Sequence, residues 1–250
     1  MKKLFLAAMI ALSSGGIASA ADLPVEYKAP RAVCGGGAFH GWYVGLHGGS
    51  IGHTATRTDQ DAFLNIAVPA AATYSQTTTT AFGGAQIGYN YQCRNAVIGF
   101  ELDGSWVNAE KTLRILPNFD PTLISTLNNG LDRVVTGRLR AGVVAADNLM
   151  VYVTGGFATA RIKTTYSVVD TLFGTIDQAQ FNEWVWGWTA GVGAEWSFWD
   201  RFSIRAEGLY MQFPERDLVF TTPNFLTAAN VTHADSVWMA RLGVNIKFAN

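Results

Sequence analysis

The chain is short of several things, and each shortage narrows the reading. After residue 12, charges or glycines interrupt every apolar run. A membrane-crossing helix needs about 20 apolar residues in succession, so none is expected. Only two cysteines are present, Cys34 and Cys93. A zinc site would need further ligands near them, and none are there; no metal and no cofactor is expected. Charged residues make up only 15% of the sequence, with a formal net charge of −1. That balance lacks the basic footprint of a nucleic-acid binder. The run Gly35-Gly36-Gly37 lacks the strand, helix and lysine of a phosphate-binding loop.

What is present begins with an export signal. Lys2 and Lys3 precede the short apolar run Leu4 to Leu12, and Ala18-Ser19-Ala20 supplies the small residues of a cleavage site. Residues 1–20 are therefore read as a signal peptide, with the mature chain starting near Ala21. Without the two lysines the count becomes 16 basic against 19 acidic residues, a net of −3. No cysteine closely follows the apolar core, so no lipid anchor is expected. The two cysteines suit an oxidising compartment. The chain is also rich in glycine (26), phenylalanine (15), tryptophan (8) and tyrosine (8). For an exported chain without membrane helices this points to a barrel, because only helices and closed barrels satisfy every backbone group in lipid.

Period-two alternation supports that directly. Eight segments carry it, at about Gly41–Ser50, Ala81–Gln92, Ala96–Val107, Val134–Val144, Leu149–Ala160, Val185–Phe198, Phe202–Phe213 and Ser236–Phe248. Short links at Arg94-Asn95, Ala145 to Asn148 and Trp199-Asp200 alternate with long ones at about Ile51–Thr80, Asn108–Arg133, Arg161–Trp184 and Pro214–Asp235. Tight periplasmic turns and long extracellular loops alternate in this way in outer-membrane barrels. The expected fold is all-β, an eight-stranded antiparallel transmembrane β-barrel with four long extracellular loops. Residues 21–40 form a periplasmic N-terminal extension, residues 41–250 form the barrel, and both termini face the periplasm.

A soluble lipocalin-like barrel also alternates and is also secreted. The two are separated by which face is charged. One face carries Glu101, Asp103, Arg138, Arg140, Glu195, Arg205, Glu207 and Arg241 in mid-strand. The other is apolar, with Trp42, Tyr91, Trp106, Trp186, Trp199, Tyr210 and Trp238 near strand ends, as in the aromatic girdles of membrane barrels. The charged face is therefore expected to point inward. Four acids and four arginines away from bulk water must pair. Arginine's planar fork suits carboxylates, and an eight-stranded lumen is about filled by side chains. The expectation is a polar plug with little or no open channel.

Several blocks resemble the alphaproteobacterial outer-membrane barrel family that includes immunogenic surface and porin-like proteins. They are Ala20 to Pro24, Gly41-Trp42-Tyr43-Val44-Gly45, Gly137 to Gly142 followed by Tyr152 to Gly156, Gly191 to Trp196, and the ending Arg241 to Phe248. The resemblance covers nearly the whole mature chain. It implies an OmpA-like eight-stranded barrel in the cell outer membrane, without a peptidoglycan-binding domain. The final strand, with Val244, Ile246 and Phe248, resembles the signal read by the outer-membrane barrel assembly machinery. It departs from the usual ending because Ala249 and Asn250 follow the aromatic residue.

Other groups carry competing readings. Cys34 and Cys93 both fall on the periplasmic side, so a disulfide tying the extension to the barrel and two separate thiols are both open. Some relatives bind haemin, but His40, His47, His53 and His233 form no compact ligand set and read as rim and loop histidines. Trp184, Trp186 and Trp188 read as interface anchors rather than a sugar platform. His47 and Ser105 are conceivable pieces of a lipid A-modifying enzyme, yet no motif joins them, and no enzyme activity is expected. Loop stretches at Thr77 to Thr80, Pro117 to Pro121 and Pro214 to Pro223 are candidates for contact with an extracellular ligand that the sequence does not name. The expected role is structural and surface-related: membrane integrity, anchoring among outer-membrane lipids and lipopolysaccharide, and presentation of loops. A narrow porin-like channel for small solutes is the alternative.

Overall fold

The computed structural model describes residues 34–60, 72–115, 123–170, 174–220 and 229–248. Residues 1–20, read above as a signal peptide, residues 21–33 of the expected extension, Pro117, Pro121, Pro223 and the last two residues lie outside the described residues. Nine antiparallel strands make up nearly all that is described. They are β1 (Gly41–Asp59), β2 (Ala72–Cys93), β3 (Ala96–Ile115), β4 (Leu123–Ala146), β5 (Leu149–Asp170), β6 (Gly174–Trp199), β7 (Phe202–Gln212), β8 (Arg216–Phe220) and β9 (Ala229–Lys247).

Neighbours in sequence pair in order through β7, which then pairs with β9, and β9 returns to pair with β1. The sheet thus closes on itself, leaving no edge at the level where lipid could not satisfy one. Strand β8 pairs with β9 alone. It resumes the line of β7 after residues 213–215, where Pro214 has no N–H to give to the ladder. Together β7 and β8 form one interrupted stave, so the barrel has eight.

The wall is turned inside out relative to a soluble protein. Leu46 and Leu139 are 71% and 72% exposed on the outside, whereas Glu101, Arg138 and Arg205 are buried within. Only a lipid environment makes such an outer face favourable, since it removes the exposed apolar surface from water. Outward aromatic side chains bracket this apolar zone. Trp42, Tyr91, Trp196 and Trp199 lie toward the short turns, and Trp106, Trp186, Tyr210 and Trp238 toward the other end. Trp186 and Trp196 are ten residues apart on β6. At about 3.3 Å per residue and a tilt of about 40°, they mark a band of roughly 25 Å, the height of a barrel's apolar belt.

The strands run far past that belt. A crossing takes about 9–11 residues, but β1 through β6 and β9 have between 19 and 26. Most of the stretches expected as long loops are therefore continuations of the wall. Among the described residues, β2–β3 pairing stops at Phe82–Val107 and β6–β7 pairing at Trp188–Gln212. Beyond these points the wall divides into two four-stranded sheets, β3-β4-β5-β6 and β2-β1-β9-β8. Their inner faces bury Leu127 and Tyr166 from one sheet, and Ala55 and Val231 from the other. Side chains cross the two seams: Lys111 Nζ donates to the Thr77 carbonyl (3.0 Å), Asn129 Nδ2 to Gln76 Oε1 (3.1 Å), and Arg216 pairs with Glu183 (3.2 Å).

At the other end the turns are tight, with two residues each at Arg94-Asn95, Asp147-Asn148 and Asp200-Arg201. Arg94 takes a left-handed φ of 56°, which a two-residue hairpin of matching twist requires. The third turn lies one residue later than the expected Trp199-Asp200, because Trp199 still belongs to β6.

The lipid-facing assignment predicts a depth-dependent cost. Leu139→Arg should lower the unfolding free energy in bilayers by about 2–4 kcal/mol. Thr73→Arg, on the same outward side but well beyond the belt, should change it by about 0.5 kcal/mol or less. Urea titration in lipid vesicles measures both.

Candidate functional site

Along the barrel axis the inward side chains form distinct tiers, and the central one is ionic. Period-two geometry delivers Glu101 and Asp103 from β3, Arg138 and Arg140 from β4, Glu195 from β6, Arg205 and Glu207 from β7, and Arg241 from β9 to the lumen, where all eight are buried. Glu101 is the hub. It accepts hydrogen bonds from Arg138, from both terminal nitrogens of Arg205, from Arg241 (3.1 Å) and from the Tyr43 hydroxyl (2.6 Å). Asp103 takes Arg138 (2.9 Å), Arg241 (3.0 Å) and the Thr136 hydroxyl (2.5 Å). Glu207 takes Arg138 (2.9 Å) and Arg241 Nε (2.6 Å).

Glu195 lies nearer the short turns and accepts from Arg140 (2.7 Å), Ser203 (2.6 Å) and Asn245 (3.0 Å). Gln86 of β2 donates to Asn245 Oδ1 (2.7 Å), and the Tyr152 ring of β5 lies 4.0 Å from the Arg140 guanidinium. Every stave of the ring therefore contributes to one network. Two glycines make room for it. A Cβ on Gly88 would come within 2.4 Å of the Tyr43 hydroxyl, and one on Gly193 within 2.5 Å of the Tyr152 ring.

The tiers on either side were not legible as functional in the sequence. Toward the outside, the same inward positions turn apolar: on β7 the inward series runs Arg205, Glu207, Leu209, Met211 and then Phe213 just beyond the strand. These join Ile51, Phe82, Leu131 and Val185 in one buried cluster. Parity alone, continued three steps past Glu207, would have revealed it.

Toward the short turns, residues 34–40 enter the mouth of the barrel. A disulfide joins Cys34 to Cys93. Phe39 is buried against Val97, Met150 and Tyr152, its N–H donates to Gln92 Oε1 (3.0 Å), and Lys247 Nζ donates to the Ala38 carbonyl.

The histidines differ from rim and loop groups. His47 is buried in the lumen, hydrogen-bonded to Gln86 through Nδ1 and to Ser105 Oγ through Nε2 (2.9 Å). His53 and His233 belong to β1 and β9 rather than to loops, and both are buried beyond the outer aromatic row. There Asp235 gathers His53 Nε2 (3.0 Å), Arg57 (3.0 Å) and Arg216 (3.2 Å), tying β1, β8 and β9 together. His233 is the register partner of both Arg57 and Arg216. His40 lies edge-on to Tyr89 and Tyr91. Among the described residues no group of three or more His, Cys, Asp or Glu side chains is placed to hold a metal ion.

The remaining sequence-selected residues lie on the outer surface. Trp42, Tyr91, Trp106, Trp186, Trp199, Tyr210 and Trp238 are exposed there, as are Val244, Ile246 and Phe248 at the end of the chain's last strand.

A closed eight-stave wall, apolar outside and ionic within, defines a membrane-spanning β-barrel of the outer-membrane type. The family model for the outer membrane protein beta-barrel domain matches residues 5–249, and the chain belongs to that family. Its place is the cell outer membrane. It is similar to the 31 kDa outer-membrane immunogenic proteins of Brucella melitensis and Brucella suis, 29% identical to each over 269 residues that span 99% of this chain and 100% of the relative. Among solved structures, OprG of Pseudomonas aeruginosa aligns with a TM-score of 0.51 at 11% identity, covering 85% of this chain and 99% of that one, a likeness of fold. Neisserial surface protein A aligns at a TM-score of 0.34 and 12% identity, over 83% of this chain and 97% of that one.

The outer cluster makes a pH prediction. Burial pushes His233 down to about 3, and the Arg57 charge adds to this. Burial raises the Asp235 carboxyl, but the hydrogen bond from His53 and the Arg57 charge outweigh it and hold it below the usual carboxylate range. Between the unfolded histidine value of about 6.5 and the folded one of about 3, the unfolded chain binds the extra proton, so stability falls as pH falls. Asp235 acts in the same direction lower down, its contribution being lost below about 3.9. Amides of β1 and β9 beyond Trp238 should exchange faster at about pH 4 than at about pH 7 once intrinsic rates are removed, and His233→Asn should flatten the difference.

Proposed function

We propose that this protein is a closed outer-membrane barrel with a structural and surface role: it reinforces the membrane, anchors among the outer-leaflet lipids, and presents a β-built extracellular head to whatever the cell meets. The observation that carries this reading is the Glu101-centred network. It spans the lumen from every stave and has an apolar tier above it and the Phe39 segment below. Ions crossing it would have to displace charge-assisted hydrogen bonds whose partners would be left unpaired in low dielectric.

Passage of small solutes, the alternative, would require Arg140 or its partners to rearrange. An enzymatic role finds little support in the His47–Ser105 pair. Its third member is the neutral amide of Gln86 rather than a carboxylate that would stabilise an imidazolium, and the pair is buried inside the barrel. The alternating outward series Val244, Ile246 and Phe248 is the feature we assign to recognition by the barrel assembly machinery.

Planar-bilayer recording of the purified protein tests the closed lumen. The wild type should show no steady conductance. Arg140→Ala removes the partner of Glu195 and the contacts to Tyr43 and Tyr152, and should produce a small leak. A large, steady wild-type conductance would overturn the reading in favour of the channel.

A further inference from the structure

The outer wall gathers three cations around one carboxylate. Strand β4 bulges at Asp132, where its register to β3 shifts between Trp106 and Ala109 and its register to β5 between Leu131 and Arg133. A bulge inserts one residue and re-aims its neighbours. Here, with Leu131 and Val134 both buried inward, it leaves Asp132 and Arg133 together on the outside. Arg133 then lies directly opposite Arg161 of β5; beyond them, Arg133 partners Trp106 of β3 and Arg161 partners Trp184 of β6. One row across four adjacent strands thus reads Trp106, Arg133, Arg161, Trp184. Lys163, two residues further along β5, adds a third cation.

Like charges directly opposite on neighbouring strands are destabilising, so this arrangement calls for an anion. Asp132 is shared among all three cations, at 3.9 Å from Arg133, 3.6 Å from Arg161 and 3.4 Å from Lys163. Glu110 lies across Gly130 from Lys163. Counting both acids, the patch still keeps an excess of positive charge. Asn182 Oδ1 accepts from Arg161 Nε (2.8 Å), fixing that edge of the guanidinium, and Nη1 lies 3.6 Å from Asp132, so Nη2 is the terminal nitrogen left for a ligand.

Height decides which anion. Tryptophan favours the boundary between headgroups and acyl chains, and Trp106 and Trp184, both exposed, bracket the two arginines at that level. Toward the membrane centre the same wall presents Phe157, Val153 and Leu139 to lipid tails. Guanidinium groups bind phosphate oxygens bidentately. We propose that the Trp106–Arg133–Arg161–Trp184 row, with Lys163, is a binding site for the phosphate groups of a phosphorylated outer-leaflet lipid. The acyl chains of this lipid lie down the apolar wall below. The site gives the anchoring half of the proposed function its residues and rests on it. It does not involve the lumen, so an open channel would leave it standing.

The test measures retention of two probes by the full chain in detergent micelles, using native mass spectrometry: diphosphorylated lipid A and the same lipid stripped of phosphate. The wild type should prefer the phosphorylated form by about tenfold or more, a difference of about 1.4 kcal/mol. The double variant R133Q/R161Q should bring the two lipids to parity, R133K/R161K should keep part of the preference, and Lys111→Gln, off the row, should leave it unchanged. If the glutamine variant does not fold, the wild type decides: about 1 M salt, which screens charges beyond about 3 Å, should erase the preference. Equal retention of both lipids by the wild type, or an undiminished preference in folded R133Q/R161Q or at high salt, overturns the proposal. So does equally strong competition by inorganic phosphate or by a sulfated oligosaccharide, which would reassign the patch to free anions or to polyanionic sugars.

Discussion

The structure turns on one carboxylate. Glu101 meets Arg138, Arg205, Arg241 and the Tyr43 hydroxyl inside an eight-stave ring, all of them buried. A charge buried without a partner costs several kcal/mol, and an ion pair in low dielectric is worth keeping only when its remaining donors and acceptors are satisfied. Here four acids face four arginines, every terminal arginine nitrogen is hydrogen-bonded, and Thr136, Ser203 and Asn245 take up further carboxylate oxygens, while the Nε groups of Arg138, Arg140 and Arg205 go without a partner among the described residues. The register of β3, β4, β6, β7 and β9, which carry the charges, is thereby constrained. A one-residue slip would send a charge into lipid and a leucine or tryptophan into the network.

From that tier the rest follows outward. The outer wall must be apolar because lipid surrounds it, and the inner wall can be ionic only because partners arrive from the opposite side of the ring. Past the membrane the same strands have water on their outer face, so their inner face can become a conventional apolar core. The inward series on β7 changes from Arg205 and Glu207 to Leu209 and Met211 at that height. The wall then divides into two sheets joined by an apolar interior and a second ionic cluster at Asp235. The part beyond the outer aromatic row is thus a built structure. The charges on its outer surface near the boundary, at Arg133 and Arg161, share Asp132 with Lys163.

Much of the fold could be read from the sequence because alternation has a fixed period of two and the inner and outer faces differ so sharply in chemistry. The eight inward charges and six of the seven outward aromatics were identifiable by parity alone; Trp199, expected in the third short link, was not, because the register shifts between Ser197 and Trp199. The extracellular ends of the strands were not. Segments such as Thr73 to Thr80 are polar on both faces, so alternation fades although the backbone stays extended and paired with β1. His53 and Arg57 looked like loop residues for the same reason, since their partner Asp235 is 178 or more positions away. The bulge at Asp132 is a change of one residue in register, which shifts faces without leaving a composition signal. The role of Phe39 depends on a mouth formed by four separate strands.

The central claim is that the Glu101 network holds the staves together as well as filling the lumen, and its most direct test is the stability of Glu101→Ala in bilayers. Removing the hub leaves Arg138, Arg205 and Arg241 partly uncompensated. The account predicts a loss of about 3–5 kcal/mol in unfolding free energy. A change of about 0.5 kcal/mol or less, the size of a surface substitution, would contradict it.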